Sequence, residues 1–499
     1  MKIPNLFDLH NEETVVTPEP TAEVEVSVNV PDYATKQLAI QHFDGGAKRK
    51  LVISTNWLRM FGFDEDAKYV EKSLGKGMGI VIELVDADSH KAKKVYTRTY
   101  KSRRNNPFWH KIETMLDLRS QSLLSEAIPA NTEKVHIIFT HGKVYITPID
   151  NKQAKRIEQV KSAEDALTAF AACSAGVDAY GLMEEGFTVQ SVLEWRPPEK
   201  RDKTDLTETG ALNFVANIPG VKHVFNEDIN MIDMRRVAKA VEQSPNSLLS
   251  ISLQCDDFSP LKTRSLKEAA LEDLSTSSDM VYDMLRLVEE VNFPMVLLEQ
   301  VKGFMTDPAG RIAETKLRRW GYEVHKAVLY SPEHGGDTKR ERYYLFATSL
   351  PAPFEWPAAT PVRTTPIWEQ YIAPAIEQNR LRDVTDTKSM QDGLKCGRLR
   401  IIDRDSTASP TLLKSEMRQA KDSVVIQTDD GRLLFPDLKL MQDLMKIPET
   451  FTTNVNSMTI GSEIIGQSVD FVMHSRIIKS VKAHIESFKQ SLKPQLAAA

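Results

Sequence analysis

Cysteine is scarce: the 499 residues contain three, at Cys173, Cys255 and Cys396. An odd number so widely spaced excludes a disulfide framework and any zinc-ligand spacing, and it fits a reducing cytosol. No run of eighteen apolar residues occurs, which leaves no candidate for a helix crossing a bilayer. The opening MKIPNLFDLHNEE lacks the basic-then-apolar order of a secretion signal, so none is expected. What is present is ordinary for a packed protein. Hydrophobic residues make up 41% of the chain, and its length suits two to four domains.

The net charge of −5 hides an uneven distribution. Residues 1–30 carry six acids against Lys2, with prolines among them, and residues 1–35 read as a disordered acidic tail. The stretch SHKAKKVYTRTYKSRR (89–104) holds seven Lys or Arg and no acid. Lys94, Arg98, Lys101, Arg103 and Arg104 in it suit a phosphate backbone, and equally suit a solvated loop.

Between residues 36 and 150 the sequence reads as short strands and turns. KVHIIF and VYITPI flank His141-Gly142-Lys143, a hairpin signal, and a helix is expected over HKIETMLDLRSQSLLSEAI. The pattern resembles small swapped-hairpin DNA-binding modules of bacterial regulators. Residues 151–165 read as a charged helical linker. From 166 the texture changes to seven short apolar runs: ALTAFAA, TVQSVLE, KHVFNED, SLLSISL, PMVLLEQ, EVHKAVL and RYYLFATS. Helical patterns such as SSDMVYDMLRLVEEV fill most of the gaps. Such alternation predicts a mainly parallel sheet covered on both faces, and the last two runs predict an antiparallel edge hairpin. Ligands of such sheets bind at the carboxyl ends of the strands.

Chemistry-bearing residues stand at those ends. The first run passes into Phe170-Ala-Ala-Cys173-Ser-Ala-Gly176, a small-residue turn that admits a ligand to backbone amides or is merely tight. Glu194 suits a ribose diol, Trp195 a stacked purine, and Asp228 an adenine amino group. Cys255 closes the fourth run in LLSISLQCDDFS, as packing material or as a nucleophile. Glu299 follows five apolar residues at the end of the fifth, where a carboxylate needs a partner. Arg340 and Arg342, two apart, are expected on one side of the last strand within reach of Glu299, for chemistry or as a buried ion pair.

Taken in order, these segments resemble the DNA (cytosine-5) methyltransferase family over about 166–349 and 432–488. The family's Pro-Cys-Gln-x-Phe-Ser corresponds to Gln254-Cys255-Asp256-Asp257-Phe258-Ser259, its Glu-Asn-Val to Glu299-Gln300-Val301, and its Gln-x-Arg-x-Arg to Thr338-Lys339-Arg340-Glu341-Arg342. Its closing Gly-Asn-Ser-Val corresponds to Gly466-Gln467-Ser468-Val469. The resemblance implies S-adenosylmethionine as cofactor, S-adenosylhomocysteine as product, no metal, and double-stranded DNA as partner. It implies Cys255 as nucleophile toward C6 of a flipped cytosine, Glu299 at N3, and Arg342 helped by Arg340 at O2. It also places Phe170, Glu194, Trp195, Asp228, Gln467 and Ser468 on the cofactor, and Lys262 and Arg264 on DNA.

Three departures stand out. The first motif has Ala172, Ser174 and Ala175 where the family has glycines, and is about two residues longer. Gln254 replaces a stiffening proline, and Asp256 replaces a glutamine. An anion beside Cys255 raises its thiol pKa unless it points away.

The expected fold is therefore α/β. It has a Rossmann-like methyltransferase sheet, mainly parallel with an antiparallel edge strand, over 166–349. A small β-rich α+β DNA-binding domain precedes it at 36–150, a short target-recognition region follows at 350–431, and 432–499 returns to the catalytic domain. Recognition is expected to be sparse, or shared with the basic amino-terminal domain. A tRNA cytosine methyltransferase and a catalytically silent DNA-binding homologue remain as alternatives. A prokaryotic or phage-encoded cytoplasmic protein is expected. Cys173 and Cys396 are read as structural.

Overall fold

The computed structural model describes residues 29–86, 92–99, 112–199, 201–259 and 262–493. The chain forms two compact units, Met1–Asn151 and Lys152–Ala499. Among the described residues no helix is long and apolar enough to cross a membrane.

The first unit is built of antiparallel strands. One sheet has six, in the order Tyr33–Ala39, Lys134–Thr140, Lys143–Pro148, Ile80–Val85, Lys68–Ser73, Lys93–Lys94. The other has four: Gln41–Phe43, Lys48–Ser54, Ile112–Leu118 and Tyr96–Thr99. Ile53, Phe61, Phe63, Tyr69, Ile82 and Phe139 lie in their shared core. Tyr33 already opens a strand, so order begins before residue 36; residues 1–28 of the expected tail lie outside the described residues. The helix expected over 110–128 is a strand followed by a helix. Thr114, Leu116 and Leu118 alternate inward with period two along Ile112–Leu118, and Ser120 then caps the short helix Gln121–Ala127.

In the second unit the segment expected as a linker is a docked helix, α1 (Lys152–Ser162). Its Arg156 is buried, donating to Ser349 Oγ at 2.6 Å, Asn292 Oδ1 at 2.9 Å and the Trp320 carbonyl at 2.5 Å, with its guanidinium 4.0 Å from the Tyr322 ring centroid. Each of its three nitrogens thus has an acceptor, and the side chain ties α1 to the sheet edge.

The sheet holds seven strands: β1 (Thr168–Ala172), β2 (Thr188–Leu193), β3 (His223–Phe225), β4 (Leu248–Ser252), β5 (Met295–Gln300), β6 (Glu323–Tyr330) and β7 (Glu341–Thr348). Their spatial order is 3-2-1-4-5-7-6. The first five pair in parallel, while β7 runs antiparallel between β5 and β6. The expected hairpin closes the edge, its second strand being the inner one. Along β1, Ala169 and Ala171 pack into one helical layer while Phe170 and Ala172 pack into the other. That is why the strands read as nearly unbroken apolar runs.

The long C-terminal helix α4 (Phe471–Ser491) buries Met473, Ile477, Val481, Ile485 and Phe488 at helical spacing. It lies along α2 (Val177–Glu184), with the Phe471 and Tyr180 rings 6.2 Å apart. The region expected to end at 431 does not stop there. Arg382–Asp383, Leu433–Phe435, Val424–Gln427 and Arg400–Ile402 form one four-stranded sheet over Val384, Met390, Val425, Leu433 and Phe435, and the hairpin across residue 431 belongs to it.

Candidate active site

The strand order reverses between β1 and β4, and a cavity of about 580 Å3 opens there at the carboxyl ends of the strands. Cys255, Glu299, Arg342, Glu194, Trp195, Asp228, Gln467 and Ser468 all line it. Segments more than 200 residues apart in sequence thus share one wall.

The β1–α2 turn takes up left-handed backbone largely without glycine. Cys173 (φ 57°) and Ala175 (φ 54°) adopt left-handed backbone, followed by Gly176 at φ 110°. A non-glycine residue there costs about 1 kcal/mol or more. Glu194, just beyond β2, offsets part of this by accepting the Ser174 amide at 2.7 Å and the Ala175 amide at 3.0 Å on Oε2. Burial pushes the Glu194 carboxyl up to about 7, against the pull of those two amides and with the charge of Asp178 adding to the rise.

Cys255 is half-buried three residues past β4. Burial raises its thiol pKa; Arg342 pulls it down, while Asp256 and Glu299 push it up. The Asp256 side chain is exposed. The loop is held despite lacking its proline: the Cys255 carbonyl accepts the amides of Phe258 (3.1 Å) and Ser259 (3.0 Å), and Gln300 Nε2 donates to the carbonyls of Leu253 (2.9 Å) and Gln254 (3.3 Å). Phe258 meets Phe304 edge-on at 4.8 Å. Asp257 clasps the far side of the loop, accepting from Lys262 Nζ at 2.5 Å, Thr276 Oγ1 at 2.8 Å and the Ser277 amide at 2.6 Å. Glu299, on β5 beside Ser252 of β4, accepts Arg342 Nε at 2.9 Å.

Several expected residues stand elsewhere. Arg340 does not join Arg342. The β7 ladder begins at Glu341, so period two does not extend back to Arg340. Its buried guanidinium instead donates to the carbonyls of Leu412 (3.2 Å), Gly466 (3.3 Å) and Gln467 (3.1 Å), tying the late segments to the sheet. Phe170 is fully buried within β1, between Phe225 (6.1 Å) and Phe293 (5.5 Å), and does not line the cavity. Lys262 is engaged by Asp257, and Arg264, on α3 (Arg264–Glu272), pairs with Glu268 at 2.8 Å. In the first unit Lys94 is paired with Asp66, and Arg98 lies in the strand Tyr96–Thr99; Lys101, Arg103 and Arg104 lie outside the described residues.

The wall also contains groups that strand-end reading passes over. Asp178 lies in the first turn of α2. Arg196 bridges Asp202 (2.6 Å) and Glu463 (3.3 Å), and Glu199 holds Lys414 at 2.9 Å. With Arg342 on Glu299, the three wall cations are matched. Among the described residues Asp178, Glu194, Glu227, Asp228 and Asp256 have no cationic partner. The cavity is thus acidic, and a cationic ligand fits it.

A family model described as C-5 cytosine-specific DNA methylase matches residues 211–432. The chain is 27% identical over 135 residues to the Type II methyltransferase M.MspI of Moraxella sp, covering 26% of this chain and 31% of that protein. It is 22% identical over 187 residues to the Type II methylase M.HgiDII of Herpetosiphon aurantiacus, covering 35% and 45%. The chain therefore spans less than half the length of either relative. The S. pombe Dnmt2 methyltransferase structure aligns with TM-score 0.47 at 16% identity, over 63% of this chain and 98% of that one. The methylase match spans Cys255, Glu299 and Arg342, and both relatives are type II methylases, so over these residues the chain is similar to C-5 cytosine-specific DNA methylases.

Proposed function

We propose that this chain transfers the methyl group of S-adenosylmethionine to C5 of cytosine in double-stranded DNA, with Cys255 as nucleophile on an extruded base. One observation carries the reading: the thiol of Cys255 and the Glu299–Arg342 pair open on the same cavity as Glu194, Trp195 and Asp228. A pyrimidine-sized reactant and a nucleoside-bearing methyl donor would meet there. The acidic wall suits the donor, a cation overall.

The bound cofactor supplies an electrophilic methyl group. The chain's own residues do the rest. Cytosine C5 is a poor nucleophile until a thiolate adds to C6, which moves the ring's electrons toward C5 and N3. Cys255 Sγ forms that bond. Burial raises its thiol pKa, so the thiol proton passes to solvent only as sulfur adds, and Arg342 favours the anion. Glu299, oriented by Arg342, shares a proton with N3 as charge develops there. After methylation the C5 proton leaves to solvent, the C5 electrons re-form the 5,6 double bond, and sulfur is expelled. A paired base cannot present C6, so extrusion from the duplex precedes addition, at a cost of a few kcal/mol.

Incubation with tritiated S-adenosylmethionine and either duplex DNA or tRNA, comparing wild type with Cys255→Ser, tests this. Label in DNA with the wild type alone is the expected result. Label in tRNA alone would transfer the chemistry to RNA, and no label in either would leave a binding protein without catalysis.

A further inference from the structure

Asp178 is 2% exposed, lines the cavity, and is a carboxylate without a counter-charge. Its Oδ1 accepts the Ala179 amide at 2.7 Å and its Oδ2 accepts Ser250 Oγ, on β4, at 3.1 Å. No Lys, Arg or His side chain is bonded to its carboxylate among the described residues; His474 meets only its backbone carbonyl. Neutral donors alone do not restore the hydration that a buried carboxylate loses. Burial accordingly pushes its pKa up to about 6, and the group is still mainly ionised at neutral pH. The N-terminal amides of α2 favour the anion but bring no cation.

Its place along the wall is specific. It bonds Ser250 on β4, the strand whose Ser252 lies opposite Glu299, and it follows closely on the Ser174 and Ala175 amides that Glu194 holds. It therefore shares the wall with both the residues assigned to the nucleoside and those assigned to the base. Beside it, the Ser174 hydroxyl also lines the cavity.

We propose that Asp178 is the counter-charge for the sulfonium of S-adenosylmethionine. The assignment rests on the methyltransferase reading and deepens it, because it gives the chain a means of telling substrate from product. When the S–CH3 bond breaks, its electron pair stays on sulfur and the sulfonium becomes a neutral thioether. Asp178 then loses its partner, and the spent cofactor is held less tightly than the fresh one.

Calorimetric binding of S-adenosylmethionine, S-adenosylhomocysteine and sinefungin, which carries a protonated amine in place of the sulfonium, to wild type and Asp178→Asn tests this. The substitution is close to isosteric, and the amide still accepts from Ala179. The expected result is a loss of roughly tenfold or more for the two cationic ligands, with the thioether changed less than about twofold. Retained thioether binding doubles as proof that the variant is folded. An equal loss for all three ligands, or no loss, overturns the assignment to the sulfonium while leaving the methyltransferase reading intact. Wild-type protein that binds none of the three overturns both.

Discussion

Replacing Glu194 by Gln separates the energetic cost of this carboxylate from its use. The side chain is buried, and its pKa stands at about 7 against an ordinary 4.5. A carboxyl that titrates higher when folded takes up protons on folding. Its contribution to stability is complete below the unfolded value of 4.5 and is lost as pH rises through about 7. At 1.36 kcal/mol per unit, the difference is worth roughly 3 kcal/mol. Gln keeps an acceptor oxygen for the Ser174 and Ala175 amides and carries no charge. In a unit of this size the variant should melt roughly 4 °C above wild type near pH 8. The gap should close toward pH 5, where Glu194 is protonated. Thermal melts of both proteins across that range measure it, and a parallel titration with S-adenosylmethionine should show the stabilised variant binding more weakly. A gap independent of pH, or a variant that melts lower at pH 8, would refute burial as the dominant influence on this group.

Two further substitutions probe the scaffold. Arg340→Met leaves the carbonyls of Leu412, Gly466 and Gln467 without their donor, so the urea midpoint should fall by the equivalent of about 2–4 kcal/mol; unchanged stability would contradict the stapling role. Asp257→Asn removes the charge that clasps Lys262, Thr276 and Ser277, so limited proteolysis within residues 262–276 should run several-fold faster than in wild type, and equal rates would count against the clasp.

Element order in the second unit was open to inspection because it rests on local periodicity. Seven apolar runs broken by helical patterns specify seven strands, and a polar residue ending an apolar run marks a strand's carboxyl end. Cys255, Glu194, Asp228 and Glu299 could be placed at the cavity rim on that basis alone. Local pattern failed where two periods compete. ETMLDLRSQSLL satisfies a helix over its whole length, yet Thr114, Leu116 and Leu118 form a strand because Lys48–Ser54 and Tyr96–Thr99 lie ready to pair with it.

Partnership was what inspection could not reach. Arg340 and Arg342 look equivalent two residues apart, but one meets Glu299 and the other carbonyls 72 and more than 120 positions away. Phe170 reads as part of a ligand turn until the second face of β1 claims it. Lys94 reads as a phosphate contact before Asp66 appears beside it, and Asp178 carries no signal at all in the sequence. By itself, then, the sequence determined strand and helix order and which residue types end each strand, because these follow from the chain's own repeat. Which of those residues are matched, and which are left buried and charged facing a cavity, was decided only by the tertiary structure. Hydrogen bonds and ion pairs act over a few ångströms of space, whatever the distance along the chain.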